Sequence, residues 1–247
     1  MIRFAGDSGD GMQLTGTRFT ETTAIVGNDL STLPDYPAEI RAPAGSLAGV
    51  SAFQLHFSSK EIHTPGDQPD VLVAMNPAAL KVHLAELIPG GIIITNESAF
   101  SPKNLKLAGY ESNPLEDDTL DSYEVYSIEM SRLVATACED MDISPKTVDR
   151  TKNMFALGLL YWIYNRPLEP TINWLGVKFK KRPELIDSNI RALNAGYNYG
   201  ETVEIFTTRF AVEKAPLAAG KYRNINGNFA TSAGLLAASE KANIPLF

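Results

Sequence analysis

Two aspartates sit inside a loop that otherwise has the makings of an anion site. The segment RFAGDSGDGMQLTG, residues 3–16, has the outline of a strand that enters a glycine turn and leaves it as a helix. Backbone N–H groups in such a turn, with the positive end of a helix behind them, hold phosphates. The candidates for that contact are Gly6, Ser8, Gly9, Gly11 and Met12, together with the hydroxyls of Thr15 and Thr17. Asp7 and Asp10 carry the wrong charge for it. Short Asp side chains accept hydrogen bonds from nearby N–H groups and cap helix N-termini, so both are expected to stiffen the turn. Asp10 stands where a carboxylate meets the positive end of the helix that begins near Met12. A ligand would then approach by Ser8, Gly9, Gly11 and the helix N-terminus.

The glycine spacing narrows the ligand. Gly6, Gly9 and Gly11 read G-x-x-G-x-G, the reverse of the dinucleotide order, and no acidic residue closes the second strand to hold a ribose. The P-loop ending Gly-Lys-Ser/Thr is absent. The triplet GDG at 9–11 opens like a magnesium–thiamine diphosphate motif, but the window where that motif needs asparagine reads YPAEIRA. Two further positions are candidates for binding. Arg41, in a Pro/Gly loop, suits a bidentate clamp on a carboxylate or phosphate, or an ion pair with Glu39 or a partner subunit. Asn76-Pro77 ends a strand, where ligands bind in open α/β sheets, and Asn96 and Glu97 end the next in the same way. No catalytic residue and no metal ligand is assigned. His56, His63 and His83 share no metal-binding spacing, and the lone Cys138, in the apolar stretch RLVATACEDM, reads as core.

The elements that position these residues follow from apolar patterning. Strands are expected at MIRFAG, from Leu30, at 50–58 (VSAFQLHFS), at PDVLVAMN, at IIITNESA and at 123–129, with helices over Met12–Gly27 and PAALKVHLAELIPGG between them. Uninterrupted runs such as VLVAM and GIIIT suit strands covered on both faces. The fold class is α/β: a mainly parallel sheet with helices on both faces, followed by a helical segment. Between Leu30 and Val50 lies a Pro/Gly loop of the length that usually serves function or an interface. After about residue 130 four helices are expected, at RLVATACEDM, TKNMFALGLLYWIYN, TINWLGVKFKK and PELIDSNIRALNAGYNYGE, and then a late strand VEIFTTR. In the second of these helices Phe155, Leu159, Trp162 and Ile163 read as core or subunit interface.

The chain of 247 residues, 44% hydrophobic, can bury a sizeable core in one large domain. Its net charge of −7 and the absence of a basic arm exclude nucleic-acid binding as a leading function. The one basic cluster, KFKKRPE, reads as a solvated helix end. No stretch reads as a signal peptide or membrane span, so the expected location is cytoplasmic.

Four segments, GDSGDGMQLTG, STLPDYPAEIRAPAGSLAGVSAFQLHFSS, DVLVAMNPAALK and KNMFALGLLYWIYNRPLEPT, together resemble the 2-oxoacid:ferredoxin oxidoreductases, most of all the larger, fused subunit of the 2-oxoglutarate enzymes. The resemblance implies a γ-type domain over residues 1–208, a linker over 209–224, and over 225–247 the incomplete start of a thiamine (pyrimidine-side) domain. It implies oxidative decarboxylation of a 2-oxoacid, with coenzyme A accepting the acyl group and ferredoxin the electrons. Thiamine diphosphate with magnesium and [4Fe-4S] clusters would be held by a companion domain or subunit in a dimer of heterodimers, consistent with a single cysteine here. Coenzyme A is then the ligand expected at Gly6–Thr17, Arg41 and Asn76, and the chain alone is expected to be inactive. The alternative is a non-catalytic α/β module for nucleotide binding or assembly.

Overall fold

Ile2–Asp7 (β1), Val71–Ala74 (β4) and Ile92–Asn96 (β5) are too apolar to leave either face in water, and they form the middle of a six-stranded sheet. The computed structural model describes residues 1–39, 42–203 and 209–245. With Asp29–Asp35 (β2), Val50–Ser58 (β3) and Glu124–Ile128 (β6), the strand order is β2-β3-β1-β4-β5-β6. Contrary to expectation an acidic residue, Asp35, does close the second strand, because the pairing with β3 carries β2 past Pro34; β3 separates that strand from β1, so Asp35 is not placed as in a dinucleotide site. β3 pairs antiparallel with both β1 and β2, while β1–β4, β4–β5 and β5–β6 are parallel. Five strands thus run one way and β3 alone against them.

Alternate side chains of each strand feed two cores. Phe4, Val73 and Ile94 point to one face, with Phe19 of Met12–Val26 (α1) and Phe155 of Lys152–Ile163 (α6). Ala5, Leu72 and Ile93 point to the other, with Ala79 and Leu80 of Pro77–His83 (α2). The short Pro102–Leu107 (α3), which carries no helical period in the sequence, lies between β5 and β6.

Between β6 and residue 203 there are five helices where four are expected: Met130–Ala137 (α4), Pro145–Asp149 (α5), α6, Glu169–Lys178 (α7) and Pro183–Thr202 (α8). The additional one, α5, is five residues long, too short to show a period, and starts at a proline after the Ser144 cap. From Met154 onward α6 is apolar all round and buried, Phe155, Leu159, Trp162 and Ile163 included. It crosses α8 at Gly158 and Gly196, where each glycine faces the other helix's backbone, Leu193 and Phe155 respectively, closely enough that a Cβ would collide with a carbonyl. Cys138 is buried among these helices, and burial raises its thiol pKa. The basic cluster lies exposed at the end of α7. The late strand VEIFTTR falls largely outside the described residues.

The chain divides into two compact units, Met1–Pro216 and Leu217–Phe247. The second consists of an extended stretch and Gly227–Ala242 (α9), whose N-terminal amide at Phe229 is capped by the Asn226 side chain at 2.8 Å. No helix among the described residues is long and apolar enough to cross a membrane.

Candidate functional site: a cleft at the sheet's switch point

The chain leaves β1 through α1 toward β2 on one side, and leaves β4 through α2 toward β5 on the other. The two helices cover opposite faces, so the carboxyl ends of β1 and β4 flank a crevice, the place where open α/β sheets bind ligands. On the β1 side of it, at that strand's carboxyl end, a cleft of about 280 Å³ opens. Three segments distant in the chain line it: the loop Asp7–Asp10, the loop Ala42–Ala44 with Gly49, and Lys146, Asp149, Arg150 and Lys152 of the α5–α6 junction.

The two aspartates hold these walls together. Asp10 Oδ2 accepts the Asp7 N–H at 3.0 Å and the Asp7 carbonyl accepts the Asp10 N–H at 2.9 Å, closing a tight turn. Asp10 Oδ1 pairs with Lys152 Nζ at 3.3 Å, tying the turn to α6. Asp7 Oδ2 accepts the Gly45 N–H at 2.9 Å, tying it to the Pro/Gly loop, and the Ser8 N–H donates to the Gly49 carbonyl at 3.2 Å. Asp10 does not cap α1 as its position suggests. The cap residue is Gly11, left-handed at φ 78°, and it turns the Asp10 carboxylate back onto its own loop. What a phosphate loop does with two acids is therefore structural: they are the pins of the cleft.

The electrostatics follow from this bonding. Burial, and then the neighbouring Asp10, raise the Asp7 pKa; the Gly45 N–H, the nearby Asn76 amide and Lys152 oppose the rise without cancelling it. Asp7 Oδ1 is buried without a donor at hydrogen-bond geometry. Burial alone would lower the Lys152 pKa, but Asp10 and Asp149, the latter at 3.0 Å, outweigh it and hold the ammonium charged.

The expected site residues separate by place. Ser8 and Gly9 line the cleft, and the amides of Gly9 and Gly11 meet no acceptor among the described residues. A Cβ on Gly9 would meet nothing within 4 Å. Gly6 and Gly11 shape the loop from behind, against Asp10 and Asn153 respectively. Met12 is in the core. The Thr15 hydroxyl donates to the Gly11 carbonyl at 3.2 Å and is buried, while that of Thr17 donates to the Gln13 carbonyl at 2.7 Å on an exposed face. Asn76 caps α2 through the Ala79 N–H at 2.8 Å and sits under Asp7. Asn96 bonds Ser131, and Glu97 accepts the Ser127 hydroxyl at 3.2 Å, away from the cleft lining. Arg41 lies outside the described residues. The sequence reading passed over Lys146, Arg150 and Lys152. Three cations within seven residues of an otherwise acidic chain are the signal that marks them.

Fold and cleft define a doubly wound α/β domain with an anion-suited crevice at its switch point. The sequence pattern described as pyruvate ferredoxin/flavodoxin oxidoreductase matches residues 1–199, and the chain belongs to that family. It is 51% identical over 246 residues to the 2-oxoglutarate oxidoreductase subunit KorA of Mycobacterium tuberculosis, spanning all of this chain and 38% of that protein. Among solved structures it resembles the 2-oxoglutarate:ferredoxin oxidoreductase from Magnetococcus marinus with 2-oxoglutarate, coenzyme A and succinyl-CoA bound. There the TM-score is 0.62 at 25% identity, covering 87% of this chain and 32% of that one. The keto/oxoacid ferredoxin oxidoreductase gamma subunit from Geobacter sulfurreducens shares the fold, with a TM-score of 0.52 at 19% identity, covering 82% of this chain and 98% of that one.

Proposed function

We propose that this chain is part of a 2-oxoacid:ferredoxin oxidoreductase whose oxoacid is 2-oxoglutarate, and that its cleft binds coenzyme A. The observation that carries the reading is the crevice itself. The unbonded amide of Gly9, the Ser8 hydroxyl and an unobstructed approach over Gly9 stand at the switch point of a chain of this family. The identity to a 2-oxoglutarate oxidoreductase subunit supports the oxoacid, and the coenzyme A bound in the Magnetococcus marinus enzyme supports the acceptor. In this reading the 2-oxoacid loses carbon dioxide, its acyl group passes to the coenzyme A sulfur, and two electrons leave for ferredoxin. Thiamine diphosphate and [4Fe-4S] clusters supply the carbon chemistry and the electron path. The four thiolates of a cluster exceed the single Cys138 of this chain, so the clusters, and with them the thiamine diphosphate, are assigned to a companion domain or subunit. This part holds the acceptor and joins the assembly.

The test is calorimetric titration of the complex assembled with its companion subunit, using coenzyme A, NAD and ATP. Coenzyme A alone should bind. Binding of NAD or ATP with none of coenzyme A would replace this reading with a nucleotide-binding assembly module. Reduction of a viologen dye by this chain alone in the presence of 2-oxoglutarate would overturn the division of labour.

A further inference from the structure

The three cations of the cleft are not equivalent. Lys152 is committed: it lies within 3.0–3.3 Å of Asp149 and Asp10 and is largely buried between them. Lys146 and Arg150 are exposed, line the same cleft, and make no ion pair or side-chain hydrogen bond with any described residue. Four residues apart on α5 and its C-cap, they stand side by side on one helical face. Two cations without an ion-pair partner among the described residues on one wall, with Ser8 and the unbonded Gly9 amide on the other, make a receptor for a dianion.

We infer that Lys146 and Arg150 are the phosphate-recognising residues of this cleft, taking the phosphate or diphosphate of a phosphoester ligand, and that Lys152 is a positioning residue. The inference rests on the reading of the cleft as a ligand site and adds which end of the ligand goes where. The carboxylates do not defeat it. Asp10 and Asp149 are engaged by Lys152, and Asp7 is turned toward Gly45. Arg150 can offer two N–H groups to two phosphate oxygens, and Lys146 adds a point charge. The Ser8 hydroxyl and the Gly9 N–H complete the cradle from the loop side. A ligand without phosphate would gain nothing from the α5 wall.

The experiment is titration of the full chain with inorganic pyrophosphate, coenzyme A and pantetheine, in the parent, Lys146→Ala, Arg150→Ala, their double variant, and Lys180→Ala with Lys181→Ala as a control at the other basic cluster. Pyrophosphate should bind the parent with an affinity that falls as salt rises. Each single variant should weaken it roughly tenfold, the loss of one charge-assisted contact. The double variant should lose salt-dependent binding, and the control should match the parent. Arg150→Lys should recover part of the loss. No pyrophosphate binding by the parent, or unchanged binding by the double variant, overturns the inference. If coenzyme A binds the parent and the double variant equally, the inference fails while the coenzyme A reading stands. If pyrophosphate binds through these cations and coenzyme A does not compete, the phosphate site stands and the coenzyme A reading falls.

Discussion

Gly9 and Gly11 are two residues apart and should respond to the same substitution in opposite ways. An alanine at Gly11 must adopt φ near +78°, which costs a non-glycine residue about 1–2 kcal/mol. Its Cβ would also collide with the Asn153 amide, part of a buried side chain packed at the start of α6. Moving that side chain is an overpacking cost of roughly 1–3 kcal/mol. The sum is about 2–5 kcal/mol. At roughly 2–4 °C per kcal/mol for a unit of this size, the melting temperature should fall by about 10 °C. Gly9→Ala meets no atom within 4 Å, so its effect on stability should stay within roughly 0.5 kcal/mol. Its methyl projects beside the cleft lining, and it should instead raise the apparent KM for coenzyme A in the assembled enzyme and leave that for the 2-oxoacid nearly unchanged. Thermal unfolding by circular dichroism and steady-state kinetics read the two effects separately. A Gly11→Ala protein that melts within 1 °C of the parent would refute the steric account of this loop, and unaltered kinetics in Gly9→Ala would refute the account of the approach.

Two further outcomes are expected. His83 is buried beside Arg3, whose Nη1 lies 3.1 Å from its Nδ1, and burial followed by the Arg3 charge lowers its pKa to about 4. Because the unfolded chain takes up that proton near pH 6.5 and the folded chain only near 4, stability is lost as pH falls through this window. The loss is about 2 kcal/mol by pH 5, so urea unfolding of His83→Gln should show a correspondingly shallower decline from pH 7.5 to 5, and equal declines would refute it. Gly196→Ala, facing the Phe155 carbonyl at the α6–α8 crossing, should destabilise by about 2 kcal/mol even though alanine gains ~1 kcal/mol in helix propensity, and an unchanged melting temperature would show that the helices can separate freely.

Much of the fold was legible because it is written in local patterns. The runs VLVA and III are apolar at every position and sit in the sheet covered on both faces; Phe155 to Ile163, apolar all round, lie buried in one helix. The reversal of β3 was not legible, since a strand's period is the same in either direction. α3 and α5 were missed for want of length. The cleft was half legible. The loop Gly6–Gly11 announces itself through glycine and aspartate, but its opposite wall, Lys146 to Lys152, is separated from it by some 140 residues. Nothing local couples the two; only the docking of α6 on the sheet does. Asp10 was misassigned as a cap because the left-handed Gly11 is a property of the turn as a whole, and that is set by where Lys152 and Asn153 arrive.

The Asp10–Lys152 and Asp7–Gly45 bonds join parts of the chain that only the completed unit brings together. The cleft is therefore absent from any partly folded form in which α6 has left the sheet. A molecule that occupies it binds the native chain alone and draws every partial-opening equilibrium toward closure, by RT ln(1 + [L]/Kd), about 2.7 kcal/mol at a hundredfold excess over Kd. Occupancy is then felt well away from the loop, as slower amide exchange along α6 and through α8, which packs against it at Gly158 and Gly196. The two carboxylates, out of place by charge in an anion loop, thereby couple any occupancy of the cleft to the folding of the helical layer.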